Sequence, residues 1–351
     1  MTITTSELRG VTGRTLYFSG TIRDCVLSER NVIPTVAGGL VPRYEKLEVR
    51  TKPGQSLSFY KSGALRTIYL EDQTDVDTPI GPLPAELVSF YEDGALNTVF
   101  QLNGQLSYAW TERDEKSLAV EWTLPFSFDT ITAKMISIRF YPGGEVRSLT
   151  LWPGETILLN TPVGRTLART GVRLHPNGSL ASFEPSFPLQ IETPIGVLTA
   201  YDVDAFTVDG DQNSVRFDEN GTLTHLTTAG EVVVETPDRG TVRVASRTRY
   251  ALTSDVRVKL PIEISFEGDQ VVIDNGQDLD TFSLADCTFT VISEIETSAL
   301  TACDMRCESG GGDFDAVDGC DGGSCSSGGC GSGADHGCEN CVDGQCTGMC
   351  A

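Results

Sequence analysis

Nine of the eleven cysteines in this 351-residue chain fall within its last 49 residues. They are Cys303, Cys307, Cys320, Cys325, Cys330, Cys338, Cys341, Cys346 and Cys350. The tightest group is Cys338-x2-Cys341-x4-Cys346-x3-Cys350. Its C-x2-C pair places two thiolates on one metal ion from a tight turn, and the next two cysteines complete four ligands. Four thiolates also hold an iron–sulfur cluster, although this spacing matches no standard ferredoxin run. We therefore predict a metal site, with zinc and an iron–sulfur cluster as the alternatives.

The other five tail cysteines allow a second site without demanding one. A Cys-x3-Cys pair begins at Cys303, and Cys320 starts a run with one cysteine in every five residues. Two further interpretations stay open: disulfide bonds, or a tail without metal that serves as a tether or as a substrate for modification. Nine is an odd number, which argues against complete pairing within the tail.

The composition of the tail sets it apart from the rest of the chain. Residues 303–351 hold thirteen of the 36 glycines, and nine acidic residues face a single arginine, for a net charge of −8. Such a segment buries too little apolar surface to offset the entropy of ordering it. We predict a flexible Cys/Gly-rich tail over 298–351, after a hairpin-repeat region over 1–231 and further strands over 232–297 that complete or cap the body.

The sequence pattern of the body is typical of an all-β protein. Short runs rich in Val, Ile, Thr, Phe and Tyr are broken every eight to fifteen residues by Gly, Pro, Asn or Asp. The segments 232–236, 241–245 and 256–260 read as strands because their apolar residues partly alternate. The stretch from Thr111 to Ala119 is the one place where the sequence favours a short helix.

Six segments of the body share an apolar or aromatic pair, then a glycine, then an apolar residue two positions further on. Asn-Gly and Asp-Gly at several of these sites supply the positive φ that a tight β-turn needs, so each segment predicts a hairpin. The glycines are Gly20, Gly63, Gly94, Gly144, Gly178 and Gly221. Their irregular spacing indicates a common unit that carries insertions.

A second element alternates with these hairpins. It is Thr-Pro-x-Gly, which begins at Thr78, Thr161 and Thr193, with a degenerate first copy over 34–39. Proline fixes φ and removes a donor, so it suits a corner or a sheet edge. One unit is thus hairpin, strand, corner, strand. Stacked units bury a continuous core. The sequence predicts stacked antiparallel hairpin repeats, arranged as a solenoid-like stack or an open single-layer sheet.

The Phe-Tyr-x-x-Gly-x-Leu hairpins resemble variant MORN-type repeats, in which an aromatic strand enters a glycine turn. The resemblance covers roughly residues 57–226, and only at the hairpins. The chain is also similar to bacterial proteins that combine this alternation with a Cys-rich end. Such repeats imply a scaffold or an interaction surface, and thus a protein partner, but no activity.

The remaining cysteines and histidines of the body favour structural roles. Cys25 and Cys287 lie in strand-like contexts and are predicted to be buried thiols. His175 occupies the aromatic position of a hairpin, which predicts a packing residue, and His225 is expected at the surface or half-buried. No Ser or Cys partner pattern accompanies the histidines, so nucleophilic catalysis has no support in the sequence. A non-enzymatic protein is favoured, and a redox enzyme built on a tail-bound cluster stays open as an alternative.

The acidic residues at 202, 204, 209 and 211 form a cluster around Gly210. Their spacing departs from a calcium-binding EF-hand loop and lacks its final glutamate. We expect a solvated loop.

The charge of the chain excludes several classes of partner. The formal net charge is −23, so nucleic acid and anionic membrane surfaces are not expected as partners. The first residues lack a basic segment followed by an apolar one, and no run of about 18 apolar residues occurs. The expected compartment is the cytoplasm, where thiols stay reduced.

Overall fold

A computed structural model of the chain describes residues 7–44, 50–202, 205, 210–250 and 257–293, together with two short strands near the C-terminus. The chain divides into two units, Met1–Ile295 and Glu296–Ala351. The side-chain contacts described below all belong to the first unit.

In the part of the first unit that the structure describes, the fold is all-β apart from one short helix, as the sequence predicts. The strands before the helix are β1 (Val11–Leu16), β2 (Ile22–Leu27), β3 (Ile33–Thr35), β4 (Gly38–Leu40), β5 (Leu57–Phe59), β6 (Leu65–Val76), β7 (Leu83–Phe90) and β8 (Leu96–Phe100). Helix α1 (Glu112–Leu118) is followed by β9 (Glu121–Pro125), β10 (Thr130–Phe140), β11 (Val146–Leu151), β12 (Ile157–Thr161), β13 (Gly164–Leu174), β14 (Leu180–Pro185), β15 (Leu189–Thr193) and β16 (Gly196–Ala200). The next strands are β17 (Val215–Phe217), β18 (Leu223–Thr228), β19 (Gly230–Thr236), β20 (Gly240–Ala245), β21 (Arg247–Tyr250), β22 (Arg257–Leu260), β23 (Ile262–Glu267), β24 (Gln270–Asp274), β25 (Leu279–Ser283) and β26 (Thr288–Ser293). In the second unit, β27 (Cys341–Val342) pairs with β28 (Gln345–Cys346).

Within the described part of the chain, nineteen strands form one antiparallel sheet. Fifteen of them pair one after another in the order β1, β2, β5, β6, β7, β8, β10, β11, β13, β14, β17, β18, β23, β24 and β25. Strands β9 and β12 pair with the first halves of the long strands β10 and β13. The β15–β16 hairpin joins the sheet through β18. The result is the series of antiparallel hairpins that the repeat pattern predicts.

The six glycine turns lie within this series and share one geometry. The amide of Gly94 donates to the carbonyl of Tyr91 at 2.9 Å, and the amide of Tyr91 donates to the carbonyl of Ala95 at 2.8 Å. The same two bonds recur at the other five turns. All six glycines have a φ between 81° and 99°, which side chains with a Cβ rarely adopt. The prediction of left-handed glycine turns is confirmed.

A ladder of side-chain hydrogen bonds ties each hairpin to the next. The hydroxyl of Tyr60 donates to the carbonyl of Phe90 at 2.8 Å, and the hydroxyl of Tyr91 donates to the carbonyl of Phe140 at 2.8 Å. Tyr17 and Tyr141 make the same contact, with the carbonyls of Phe59 and Leu174 in the hairpins that follow them. The tyrosine of each of the first four hairpins therefore satisfies a main-chain acceptor in the following one.

The Thr-Pro-x-Gly corners form the turns between these hairpins. Thr161 Oγ1 donates to the carbonyl of Gly164 at 2.6 Å, and the other corners, including the degenerate first copy, make the same bond. The ring of Pro162 lies against a hairpin turn, because a Cβ built on Gly221 would be 3.2 Å from Pro162 Cγ. Corners and hairpin turns thus pack on one another.

One continuous line of side chains, here called the apolar row, runs through the core across the sheet. Its members are Cα partners on thirteen successive strands, and none is more than 1% exposed. They are Cys25, Leu57, Ile68, Val88, Val99, Ile138, Leu149, Val172, Phe183, Val215, Leu226, Ile264 and Ile273. Each fully buried apolar side chain contributes roughly 1.5–3 kcal/mol relative to an exposed one. The shared register therefore gives the whole series one continuous core.

Helix α1 lies where the sequence places it. Thr111 is its N-cap: Thr111 Oγ1 accepts from the amide of Asp114, and the Asp114 carboxylate accepts from the amide of Thr111. This reciprocal pair satisfies two amide donors that the first turn leaves open. Among the described residues, no helix combines the length and the apolar character needed to cross a bilayer.

Candidate functional site

The structure describes only two of the nine tail cysteines, and these only through their backbone. Cys341 and Cys346 are Cα partners across the β27–β28 hairpin. The remaining seven, Cys303, Cys307, Cys320, Cys325, Cys330, Cys338 and Cys350, lie outside the described residues. Two members of the predicted quartet therefore occupy facing positions of one short hairpin.

The two thiols of the body differ in their surroundings. Cys25 belongs to the apolar row and is 1% exposed, as predicted, and burial raises the pKa of its thiol to about 11. Cys287 is half-buried, so the prediction of burial holds only in part. The described residues contain no group of three His, Cys, Asp or Glu side chains that could hold a metal ion. A protonated Cys25 thiol is a poor metal ligand.

A second line of residues crosses the sheet one position away from the apolar row, and hence on the opposite face. It is polar in every member, and we call it the polar row. Its Cα partners on successive strands are Ser58, Thr67, Ser89, Thr98, Arg139, Ser148, Arg173, Ser182, Arg216, His225 and Ser265. Three arginines alternate with serines in its second half. In a chain of net charge −23, this is an unusual concentration of positive charge.

The repeat itself places these arginines. The position two residues before the aromatic residue of the turn always faces the polar row. It holds Arg139, Arg173 and Arg216 in the last three hairpins, whereas the first three have only serine or threonine there. The members of the row that alternate with these lie four residues after a turn glycine. A comparison of the hairpins at these two positions would have revealed the row from sequence alone.

Residues 210–214 pack onto the polar face between β11 and β14. The amide of Gly210 donates to Thr150 Oγ1 at 3.0 Å, and Asn213 Nδ2 donates to Ser182 Oγ at 2.8 Å. The approach is close: a Cβ on Gly210 would lie 2.2 Å from the carbonyl oxygen of Leu149. A side chain with a Cβ would clash with this carbonyl oxygen, so the contact requires glycine at position 210.

The backbone is strained beside this contact. Thr170 has a φ of 62° and is the one residue other than glycine with a positive φ among those that the structure describes. Its hydroxyl donates to the carbonyl of Ala205 at 3.1 Å. A β-branched residue in this conformation costs about 1–3 kcal/mol, which the surrounding contacts must offset.

Asp211 joins two arginines at one end of this region. Its Oδ2 lies 2.6 Å from Arg139 Nη1 and 2.9 Å from Arg147 Nη2. The Arg147 guanidinium also lies over the ring of Tyr141. The expectation of a solvated acidic loop is therefore wrong for Asp211, because two cations from β10 and β11 hold it. Of the other members, Asp204 and Asp209 lie outside the described residues.

Glu184 lies fully buried on the same face. Its carboxylate accepts from the amide of Ser214 at 2.7 Å and from the amide of Asp202 at 3.3 Å. Arg169 Nη2 is 3.8 Å away, and its guanidinium stacks over the ring of Tyr201. Burial outweighs these partners and raises the pKa of Glu184 to about 7, because the carboxylate loses its hydration. Glu184 therefore exchanges a proton near neutral pH.

His225 continues the polar row beyond Arg216. It is only 7% exposed, so the expectation of a surface or half-buried residue is wrong. Its Nδ1 lies 2.9 Å from Ser265 Oγ. Burial lowers the pKa of His225 to about 4, and the charge of Arg216 adds to this effect. His225 is therefore neutral at physiological pH. His175, by contrast, behaves as predicted: it takes the tyrosine position of its hairpin, with Nε2 3.0 Å from the Phe217 carbonyl.

A separate buried ion cluster anchors α1. Arg50 donates to both carboxylate oxygens of Glu86, at 2.9 and 2.6 Å, and to both of Glu115, at 2.7 and 2.8 Å. Trp110 Nε1 also donates to Glu115 at 3.0 Å. The Glu115 hydrogen bond, followed by that of Glu86, raises the pKa of Arg50. A cavity of about 20 Å³ adjoins Arg50, with room for one water molecule. This cluster is satisfied internally and fixes the helix on the sheet.

An open apolar groove of about 500 Å³ runs between the corner at Val36 and the hairpin turn at Gly94, with Phe90 among its lining residues. It corresponds to the place where the Pro162 ring packs on Gly221 in a later unit. The first corner has Val36 in place of that proline, and Val36 is 65% exposed. At the first corner, therefore, no proline ring at this position packs on the hairpin turn, and the groove is open at the corresponding place.

The described chemistry thus divides between two places: facing cysteines in the tail hairpin, and a row of arginines on the polar face of the sheet. No family model, curated protein or solved structure matches this chain.

Proposed function

We propose that the protein is a β-repeat scaffold with a thiolate metal site in its C-terminal segment, and that it handles a thiophilic metal in the cytoplasm. The observation that carries the proposal is the spacing Cys338-x2-Cys341-x4-Cys346-x3-Cys350. Four thiolates within so short a span match the ligand set of a structural zinc ion and of an iron–sulfur cluster.

The register of the tail hairpin supports this ligand set. Cys341 and Cys346 face each other across β27 and β28, so two ligands belong to one turn. Closing the rest of the quartet adds little loop entropy, because the segments from this hairpin to Cys338 and Cys350 are short. The other five tail cysteines, Cys303, Cys307, Cys320, Cys325 and Cys330, supply thiolates for a second ion or for transfer. A chain of exchangeable thiolates suits the stepwise delivery of a metal.

The body has the role of a docking scaffold in this proposal. Its hairpins share the aromatic-to-glycine pattern of variant MORN-type repeats, and we propose that they belong to that class and bind a protein partner. The continuous apolar row favours this role, because it gives the sheet the rigid core that a docking scaffold needs.

An interaction scaffold without metal handling is the second candidate. The observation that favours it is the polar row, a regular series of hydroxyl and guanidinium groups with one imidazole across eleven strands, whose arginines are partly accessible. In that case the tail binds a structural zinc ion or no metal, and the function lies in the sheet alone.

Metal analysis of protein purified without oxygen separates these alternatives. We expect at least one equivalent of zinc, or iron together with acid-labile sulfide, per chain. Stoichiometric metal that exchanges with an acceptor supports handling, whereas stoichiometric zinc that does not exchange supports the scaffold. A chain without metal, purified under reducing conditions and not reconstituted by added zinc or iron and sulfide, would contradict the proposal.

A further inference from the structure

The centre of the polar row carries a guanidinium with no counterpart. Arg173 lies on β13 between Ser148 of β11 and Ser182 of β14, which are its Cα partners. Within the residues that the structure describes, Arg173 makes no hydrogen bond or ion pair, and its Nε is buried without a partner. A buried donor of a charged group is costly to leave unsatisfied. Arg173 therefore has donors available for an acceptor.

Two further arginines flank this position at equal distance. Arg139 is the Cα partner of Ser148. Arg216 is the Cα partner of Ser182, and its Nε donates to the carbonyl of Asn213 at 3.2 Å. Adjacent strands are about 4.8 Å apart, so each flanking arginine is about 10 Å from Arg173 along the row. The three guanidiniums share one face because they occupy the same repeat position in consecutive hairpins.

The neighbouring charged groups leave this face positive. Asp211 lies at the Arg139 end and is shared with Arg147. His225 at the other end is neutral near pH 7, and its Nε2 is buried without a hydrogen bond, 3.8 Å from Glu263 Oε2. Glu184 on the same face is fully buried, and burial raises its pKa to about 7. Hydroxyl donors and an excess of guanidinium groups favour an anion.

We propose that Arg173, flanked by Arg139 and Arg216, is the centre of a binding site for a small oxyanion that carries phosphate or carboxylate groups. The planar fork of arginine matches both groups in a bidentate manner. Arg173 donates directly to the anion, and the flanking arginines bind further anionic groups of the same ligand. This site is distinct from the tail cysteines and does not depend on the metal proposal.

Calorimetric titration at fixed ionic strength tests the site, with inorganic phosphate and citrate as probes and chloride as the reference. The full chain should bind at least one probe saturably. Arg173→Ala should weaken that binding by about tenfold or more, the usual effect of losing a charged hydrogen bond. Arg243→Ala is the matched control, because Arg243 is 67% exposed on β20, outside the main sheet. It should bind as the parent chain does. Preference for phosphate over citrate, or the reverse, identifies the anionic group.

A gain-of-function variant separates binding from folding. Asp211→Asn removes the carboxylate shared by Arg139 and Arg147 and should tighten binding of the same probe. Arg173→Lys, which keeps the charge but loses the fork, should bind with intermediate affinity even if Arg173→Ala fails to fold. The proposal is overturned if neither probe binds saturably, if Arg173→Ala and Arg173→Lys bind as the parent chain does, or if Asp211→Asn weakens binding.

Discussion

The hydroxyl of Tyr91 lies 2.8 Å from the main-chain carbonyl of Phe140, 49 residues further along the chain. This contact joins the turn of one hairpin to the end of a strand in the next, and equivalent contacts repeat along the sheet. It explains why an aromatic residue with a polar tip stands before each of the first four turns. The ring packs locally, and the hydroxyl reaches the neighbouring repeat.

Tyr91→Phe should destabilise the protein by about 1–2 kcal/mol, because it leaves the Phe140 carbonyl without its donor while preserving the ring. Urea unfolding followed by circular dichroism measures the change. Tyr108→Phe is the control, since Tyr108 is fully exposed, and it should be neutral. Equal stability of the two variants would mean that the ladder does not couple the repeats.

Gly178→Val should cost about 1–3 kcal/mol, because valine resists the φ of 81° at this turn. A Cβ at Gly178 would meet no atom within 4 Å, so the cost comes from the backbone alone. Gly178→Asn should lose much less, since asparagine tolerates this conformation. Thermal unfolding of the pair checks the difference, and two equally destabilised variants would point to a steric cause instead.

Glu184 should make the protein less stable as the pH rises. Its pKa is raised from 4.5 to about 7 in the folded state, so the folded chain holds the proton more tightly than the unfolded chain does. The contribution is complete below about pH 4.5 and is lost as the pH rises through 7. It amounts to roughly 3 kcal/mol, from 1.36 kcal/mol per pKa unit. Between pH 5 and 8, the free energy of unfolding of Glu184→Gln should therefore rise relative to that of the parent chain. Glu263→Gln, at an exposed carboxylate, should show no such trend, and parallel profiles for all three proteins would refute the assignment.

His225 should act in the opposite direction. Its pKa is lowered from 6.5 to about 4 in the folded state, so the unfolded chain binds the proton first as the pH falls. The stability it contributes is present above pH 6.5 and is lost as the pH falls through about 4. His225→Gln should flatten the acid side of the stability profile. A variant that unfolds with the same acid midpoint as the parent chain would show that another group controls acid unfolding.

The hairpins were predictable from sequence because each turn is a local event. The turn at Gly178 is encoded by the four residues from His175 to Gly178. The Asn-Gly pair at its end sets the positive φ, and the apolar residues on either side mark the two strands. Helix α1 was predictable for the same reason, since Thr111 and Asp114 form its cap within one turn. The corners likewise depend on a threonine and a glycine three residues apart.

The polar row depends on register between hairpins, which no single segment encodes. Arg139 meets Asp211 across 72 residues, and the acidic cluster looked solvated because its partners lie two hairpins away. His225 was expected near the surface because it follows a turn. Its strand, however, pairs with β23, and the imidazole is buried beside Ser265. Each misassigned residue has its decisive neighbour on a different repeat.

The most direct test of the proposed function is the metal content of a set of Cys→Ser variants, measured per chain after purification without oxygen. Cys338, Cys341, Cys346 and Cys350 should each lose most of one bound equivalent when changed, because three thiolates hold a soft ion far less tightly than four. Changes at Cys320 and Cys325 should leave that equivalent in place. An equal, partial loss from every tail cysteine would contradict a defined quartet and would indicate a diffuse pool of thiolates instead.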